Sequence, residues 1–221
     1  MENIFLNLGE TIAKELFVEI KYPWEVLPNI SEFIIKLGKS LPKEKFDFIG
    51  NDIFISKTAK IAKMACLNGP LIIDDGAEIR HCAFIRGSVI IGKNAVVGNS
   101  TEIKNSILFN SVQVPHYNYI GDSILGYKAH FGAGSITSNV KSDKTLIEVL
   151  IDGVKIKTGL KKFGAIVSDN VEIGCNSVLN PGTIIGKNTS IYPLSSVRGF
   201  VKENMIYKSC DNITKKINKN F

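Results

Sequence analysis

ISKTAKIAKMACLNGPLIIDDGAEIRHCAFIRGSVIIGKNAVVGNSTEI, residues 55–103, carries an aliphatic side chain at every sixth position: Ile55, Ile61, Leu67, Ile73, Ile79, Ile85, Ile91, Val97 and Ile103. Average composition would place nine in one phase by chance about once in 10⁵. The phase reaches Phe109 and returns at Val167, Ile173, Leu179, Ile185, Ile191 and Val197. Small or turn-forming residues often follow the aliphatic, as at Asp74, Gly92, Gly98, Gly174, Asn180 and Gly186, which suits a short strand meeting a corner. A period of six is that of β-helices. Three hexads close one triangular coil, so residues 18 apart stack and the aliphatics fill the interior. The expected fold is all-β, a left-handed parallel β-helix.

A solenoid leaves its ends open. Residues 7–17 and 31–40 have helical apolar spacing, with Asn29 or Ser31 placed to cap the second helix and Tyr22-Pro23-Trp24 as an irregular link. They predict a short N-terminal helical cover. The repeat fails between Val140 and Phe163, where TLIEVLIDGVKIKT reads as two strands around Asp152-Gly153, a hairpin excursion near 143–160. The expected organisation is a helical segment at 1–50, the β-helix at 51–207 with its insertion at 140–163, and a basic tail at 208–221 containing Lys208, Lys215, Lys216 and Lys219.

The chain has 221 residues, 44% hydrophobic and 22% charged, with a formal net charge of +6. Composition excludes a disordered or collagenous protein, and no apolar run approaches the roughly 18 residues of a membrane span. MENIFLNLGE carries Glu2 and Glu10 and lacks a basic stretch before an apolar core, so the expected location is cytoplasmic. Cys66, Cys82, Cys175 and Cys210 form no CxxC pair, which argues against a zinc cluster or a disulfide framework. Nothing resembles a nucleic-acid-binding motif. No metal site is expected, since His81, His116 and His130 include no close pair; this also argues against a metal-dependent carbonic anhydrase on the same solenoid.

Long cations at corner positions have no packing reason to be there, which singles out Arg80, Arg86 and Lys104. Arg86 and Lys104 are 18 apart, hence in vertical register, as a site for a phosphate or other dianion requires. Glu102 lies close enough in sequence to neutralise them. His116, in the string VPHYNYIGDS, shares their hexad phase, with Pro115 in place of the expected interior aliphatic. That break predicts a distorted coil presenting His116, a residue type suited to general-base work on an amine or hydroxyl. A structural histidine is the alternative.

The stretch EIKNSILFNSVQVPHYNYIGDSILGYKAHFGAGSITSN resembles the acetyltransferase domain of bifunctional N-acetylglucosamine-1-phosphate uridyltransferase/glucosamine-1-phosphate acetyltransferase and its archaeal sugar-1-phosphate nucleotidylyltransferase relatives. The likeness covers residues 66–208. The resemblance implies that His116 takes a proton from a sugar amine as it attacks acetyl-CoA, that Asn139 positions the amine and transition state, and that Arg86 and Lys104 bind the acceptor phosphate. It also implies acceptor contacts by Tyr119 and Lys162, and CoA contacts at Ala133, Cys175 and Lys208. A homotrimer with sites between subunits follows from the same resemblance, as does a place in UDP-N-acetylglucosamine biosynthesis.

Two departures stand out. His130 occupies a place where the family usually has a substrate-contacting asparagine, and residues 1–50 are too short for a doubly wound nucleotidyltransferase sheet, so pyrophosphorylase activity is not expected. Three readings stay open: N-acetylation of an amino-sugar phosphate such as glucosamine 1-phosphate, acylation of another amino sugar, sugar nucleotide or hydroxyl, and a non-catalytic trimeric scaffold or regulatory subunit.

Overall fold

The computed structural model describes residues 6–216. Residues 1–5 of the leader reading and Lys219 of the basic tail lie outside that range. Parallel strands stack coil upon coil, Ile55 on Ile73, Ile91, Leu108, Leu125, Val167, Ile185 and Val201, with every neighbour paired. Two further columns, through Ile79, Val97 and Val114 and through Ile85, Ile103 and Ile120, complete the triangle. Beyond the partly buried Ile55 these interior side chains are buried, so the β-helix follows from the hexad periodicity. The hairpin also forms, pairing Glu148–Ile151 with Val154–Lys157 across Asp152 and Gly153, both at positive φ. Among the described residues no helix is long and apolar enough to cross a membrane.

The phase is not continuous, contrary to the reading of Phe109 and Pro115 as interior positions. Ile85 pairs with Ile103, 18 residues on, but Ile103 pairs with Ile120 and Ile91 with Leu108, 17 residues on. One residue is lost at a corner. The corner that Gly87 and Ser88 turn with two left-handed residues is turned one coil later by Asn105 alone, and then by Asp122 alone. Ser106 and Ser123 hydroxyls brace the tightened corners by donating to the carbonyls of Lys104 and Gly121. The interior residues are therefore Leu108 and Val114, and His116 pairs with Asn99, so it is the second residue after its interior aliphatic and not the first, as Arg86 and Lys104 are. Pro115 distorts nothing. Tyr117 has φ 52°, yet Cys82, Ser100, Asn176 and Leu194 turn the same corner of other coils in the same way, so this is the repeat's own geometry.

The N-terminal cover also differs from expectation. Residues 7–17 form two short 3₁₀ helices, Leu8–Glu10 and Lys14–Phe17, and Tyr22-Pro23-Trp24 opens a third, Pro23–Asn29, that runs into the α-helix Ile30–Ser40. Asn29 stands at the N-cap of that α-helix but makes no side-chain capping bond. The segment seals a lateral face instead of an end. On that face the residue before each interior aliphatic is also apolar, building an outer ladder of Phe54, Ile72, Ile90, Ile107, Ile124, Ile166, Ile184 and Phe200. Its isoleucines are fully buried, each contributing roughly 1.5–3 kcal/mol. The α-helix covers the first coils, Pro23–Asn29 the Tyr119–Leu125 strand, and the hairpin the Phe200 end.

Trp24 fastens this cover, stacked on Tyr22 at 4.6 Å and 5.8 Å from Phe163, with only 1% of its surface exposed. Trp24→Ala is expected to lower stability by about 3–5 kcal/mol in urea unfolding. A change within error would mean that the cover contributes little.

Candidate functional site

Two faces remain outside the sealed one, and they meet at the corner between the strands Gln113–His116 and Tyr119–Leu125. Buried Asn118 fixes this corner. Its Oδ1 accepts the His116 N–H at 3.1 Å, and its Nδ2 donates to the carbonyls of Gly132 at 2.9 Å and Ser135 at 3.0 Å. The His116 carbonyl accepts the Gly134 N–H at 3.0 Å. The backbone of His116 is thus held from two sides while its side chain is exposed, and its ring has no hydrogen-bond partner among the described residues.

Ala133 follows His116 on the next coil and Cys175 follows Ala133, each backbone tied to the coil beyond, so the three form one column at about 4.8 Å per coil. Gly132 keeps the column close-packed, since a Cβ there would come within 2.6 Å of the Cys175 nitrogen. Further along the same edge the Lys208 ammonium lies over the Tyr192 ring at 5.9 Å. All four cysteines are free and exposed.

The face running from Tyr119 ends at a second cluster, built on the tightened corner. Asp122, 4% exposed, accepts from Asn105 Nδ2 at 2.9 Å and from Asn139 Nδ2, and forms an ion pair with Lys104 Nζ at 3.4 Å. Asn139 Nδ2 also donates to the Tyr119 hydroxyl at 3.2 Å. Gly121 makes this possible: a Cβ there would stand 2.6 Å from the phenol oxygen and 2.9 Å from Asn139 Nδ2. Burial, then the negative charges of Asp122 and Glu102, push the Tyr119 phenol up from its ordinary value, so it remains a neutral hydroxyl. The chain after the hairpin returns to this corner, where the Phe163 N–H donates to the Asn139 carbonyl at 3.0 Å and the preceding Lys162 is exposed.

Arg86 stands one coil before Lys104, in the expected register, and its Nη1 pairs with Glu102 at 2.7 Å. Both cations read as phosphate ligands therefore already have carboxylate partners. His130 lies apart, on the adjoining face in the row of Gln113 and Glu172, with Nδ1 2.8 Å from Glu172 Oε2. The structure thus groups His116, Ala133 and Cys175 along one edge, with Lys208 further on. It groups Lys104, Tyr119 and Asn139 around Asp122, while Lys162 is exposed and is brought near only through its neighbour Phe163. The roles of Asp122, Gly121 and Asn118 were absent from the sequence reading, although the Gly-Asp pair of the quoted motif marked two of them.

Residues 67–167 match the family model described as the GMPPB C-terminal domain. The bifunctional protein GlmU of Methanococcus maripaludis is 36% identical, aligned over 96% of this chain and 53% of its own length. The bifunctional sugar-1-phosphate nucleotidylyltransferase/acetyltransferase of Sulfurisphaera tokodaii is 34% identical over 42% of this chain and 23% of its own. Among solved structures, the polySia specific acetyltransferase NeuO superposes over 75% of this chain and 81% of its own with a TM-score of 0.50 at 18% identity, a likeness of fold. The chain thus carries the stacked-coil fold and is similar in sequence to these bifunctional proteins. Over nearly its whole length it resembles GlmU-type proteins, and it spans about half the length of the M. maripaludis relative.

The two carboxylates that pair with Lys104 and Arg86 have different weights. Asp122→Ala would leave a mostly buried Lys104 unpaired and remove an acceptor from each of two amides, so a loss of about 3 kcal/mol is expected. Glu102→Ala breaks only an exposed pair, and its melting temperature should match the wild type. Equal shifts in a thermal scan would contradict this ranking.

Proposed function

We propose that the protein is an acetyl-CoA-dependent N-acetyltransferase acting on an amino-sugar phosphate, of which glucosamine 1-phosphate is the type. The observation that carries this reading is the edge column. An exposed, backbone-clamped His116 stands one coil from Ala133 and two from Cys175, facing a second cluster of neutral and cationic hydrogen-bonding groups across Tyr119. A general base must reach the attacking group while its own backbone stays fixed. A thioester laid along the edge would have its carbonyl at Ala133 and its pantetheine arm past Cys175. Lys208, about three coil rises or 14 Å beyond Ala133, would meet its phosphates. The relative from S. tokodaii, named a nucleotidylyltransferase/acetyltransferase, supports the donor, and no metal has a role in this scheme.

In the reaction the acceptor amine attacks the thioester carbonyl, His116 Nε2 or Nδ1 takes the amine proton, and the tetrahedral intermediate collapses with release of the CoA thiolate. The thiolate then takes up a proton. Arg86, Lys104 and Lys162 would hold the acceptor phosphate, with Glu102 yielding Arg86 when phosphate arrives. His130 would contact the sugar from a neighbouring subunit, where a histidine in place of an asparagine alters the choice of sugar. A homotrimer is part of the proposal. One lateral face is sealed by the N-terminal segment, and the other two meet at the His116 corner, where a second chain would complete the site.

Thiol release from acetyl-CoA, measured against amino-sugar phosphates, unphosphorylated amino sugars and nucleotide-linked amino sugars, tests donor and acceptor together. His116→Asn is expected to lower kcat by roughly 10²–10⁴ with CoA binding retained. A wild-type rate in that variant would return His116 to a structural role. Light scattering at micromolar concentration should give three times the chain mass, and a stable monomer would remove the shared site.

A further inference from the structure

Asn139 is tied to its surroundings through one end only. Asp122, being a carboxylate, presents acceptors and no donor, so the Asn139 atom turned toward it has to be Nδ2; a flipped amide would set two acceptor oxygens against each other. The second Nδ2 hydrogen goes to the Tyr119 oxygen at 3.2 Å. Both hydrogens are then committed, and Oδ1 of Asn139 has no partner among the described residues. Because the Tyr119 oxygen accepts from Asn139, its own hydrogen is left to point outward.

Asp122 itself cannot turn. Asn105 Nδ2 holds Oδ1 at 2.9 Å, while Lys104 Nζ lies 3.4 Å from the same Oδ2 that receives Asn139. Gly121 supplies the space in which Tyr119 reaches Asn139, so the Gly-Asp pair acts as a unit: the glycine admits the phenol and the aspartate sets the amide.

We propose that Asp122 is a positioning residue that locks the Asn139 amide with Oδ1 outward. The acceptor sugar is then read by one hydrogen-bond acceptor, Asn139 Oδ1, and one donor, the Tyr119 hydroxyl. This rests on the acetyltransferase reading above. It requires that the group bound at Asn139 be an N–H or O–H of the acceptor, and it makes the corner at Asp122 a determinant of acceptor recognition, separate from the CoA edge.

Asp122→Asn tests it. Three donors converge on position 122, and an amide offers them a single oxygen, so the Asn139 amide should lose its fixed orientation. The expected result is a fall of about ten- to a hundredfold in kcat/KM for the acceptor, with KM for acetyl-CoA unchanged. In the Asn139→Ala background the same Asp122→Asn change should cost less than about twofold, because the group it positions is already gone. Full multiplication of the two losses would overturn the proposal in favour of independent structural effects. A crystal structure of Asp122→Asn supplies a readout that needs no activity. Asn139 is expected off the Tyr119 hydroxyl, and an Asn139 side chain left in its original place would overturn the positioning role. Failure of the wild type to release thiol with every acceptor would instead overturn the functional reading, while the crystal arm still decides whether Asp122 holds Asn139.

Discussion

Everything in this molecule depends on vertical register, the pairing of each short strand with the strand one coil away. A strand of two or three residues has almost no stability alone. Stacked, each places one aliphatic inside, pairs its backbone above and below, and carries its neighbouring residues into columns along the outside. Residues distant in sequence thereby become neighbours at about 4.8 Å, which is how His116, Ala133 and Cys175 come to share an edge.

The loss of one residue per coil between Ile103 and Leu108 changes that register locally and creates the cluster at Asp122. A corner turned by Gly87 and Ser88 holds no side chain able to organise its surroundings; a corner turned by Asn105 and then Asp122 holds an amide and a carboxylate in contact. The tight corner needs a residue that tolerates φ near +45°, and Asn and Asp do so at lower cost than other non-glycine residues. The same requirement thus delivers the carboxylate that holds Lys104 and Asn139. Burial matters as much as position here, because Asp122 at 4% exposure binds its partners in a medium that barely screens them, whereas the Arg86–Glu102 pair is open to water.

The N-terminal segment illustrates a different use of the surface. A β-helix face with alternating residues needs no cover, but the ladder from Phe54 to Phe200 is apolar on its outer side and would be an aggregation-prone stripe if bare. The segment from Leu8 to Ser40 and the hairpin at Glu148–Lys157 share the task of covering that lateral side. The hairpin, read in the sequence only as an excursion, is in this sense a continuation of the N-terminal cover.

The hexad of aliphatics determined the β-helix, the strand pair about Asp152-Gly153 determined the hairpin, and the 18-residue spacing of Arg86 and Lys104 determined their register, because each is a short-range periodicity that the backbone converts directly into position. The slip at Asn105 was hidden because Leu108 and Phe109 are both apolar, so the pattern in the sequence stays continuous while the interior changes from one to the other. The lateral seating of the N-terminal segment was hidden for a related reason: Ile-Ile pairs in LII and VII read as one interior residue with an aliphatic neighbour, and only a folded surface distinguishes inside from outside. The Asp122 cluster lay beyond any single-chain pattern. Its members at 104, 105, 122 and 139 meet through coil stacking, and hydrogen-bond direction between side chains is settled by three-dimensional contact alone.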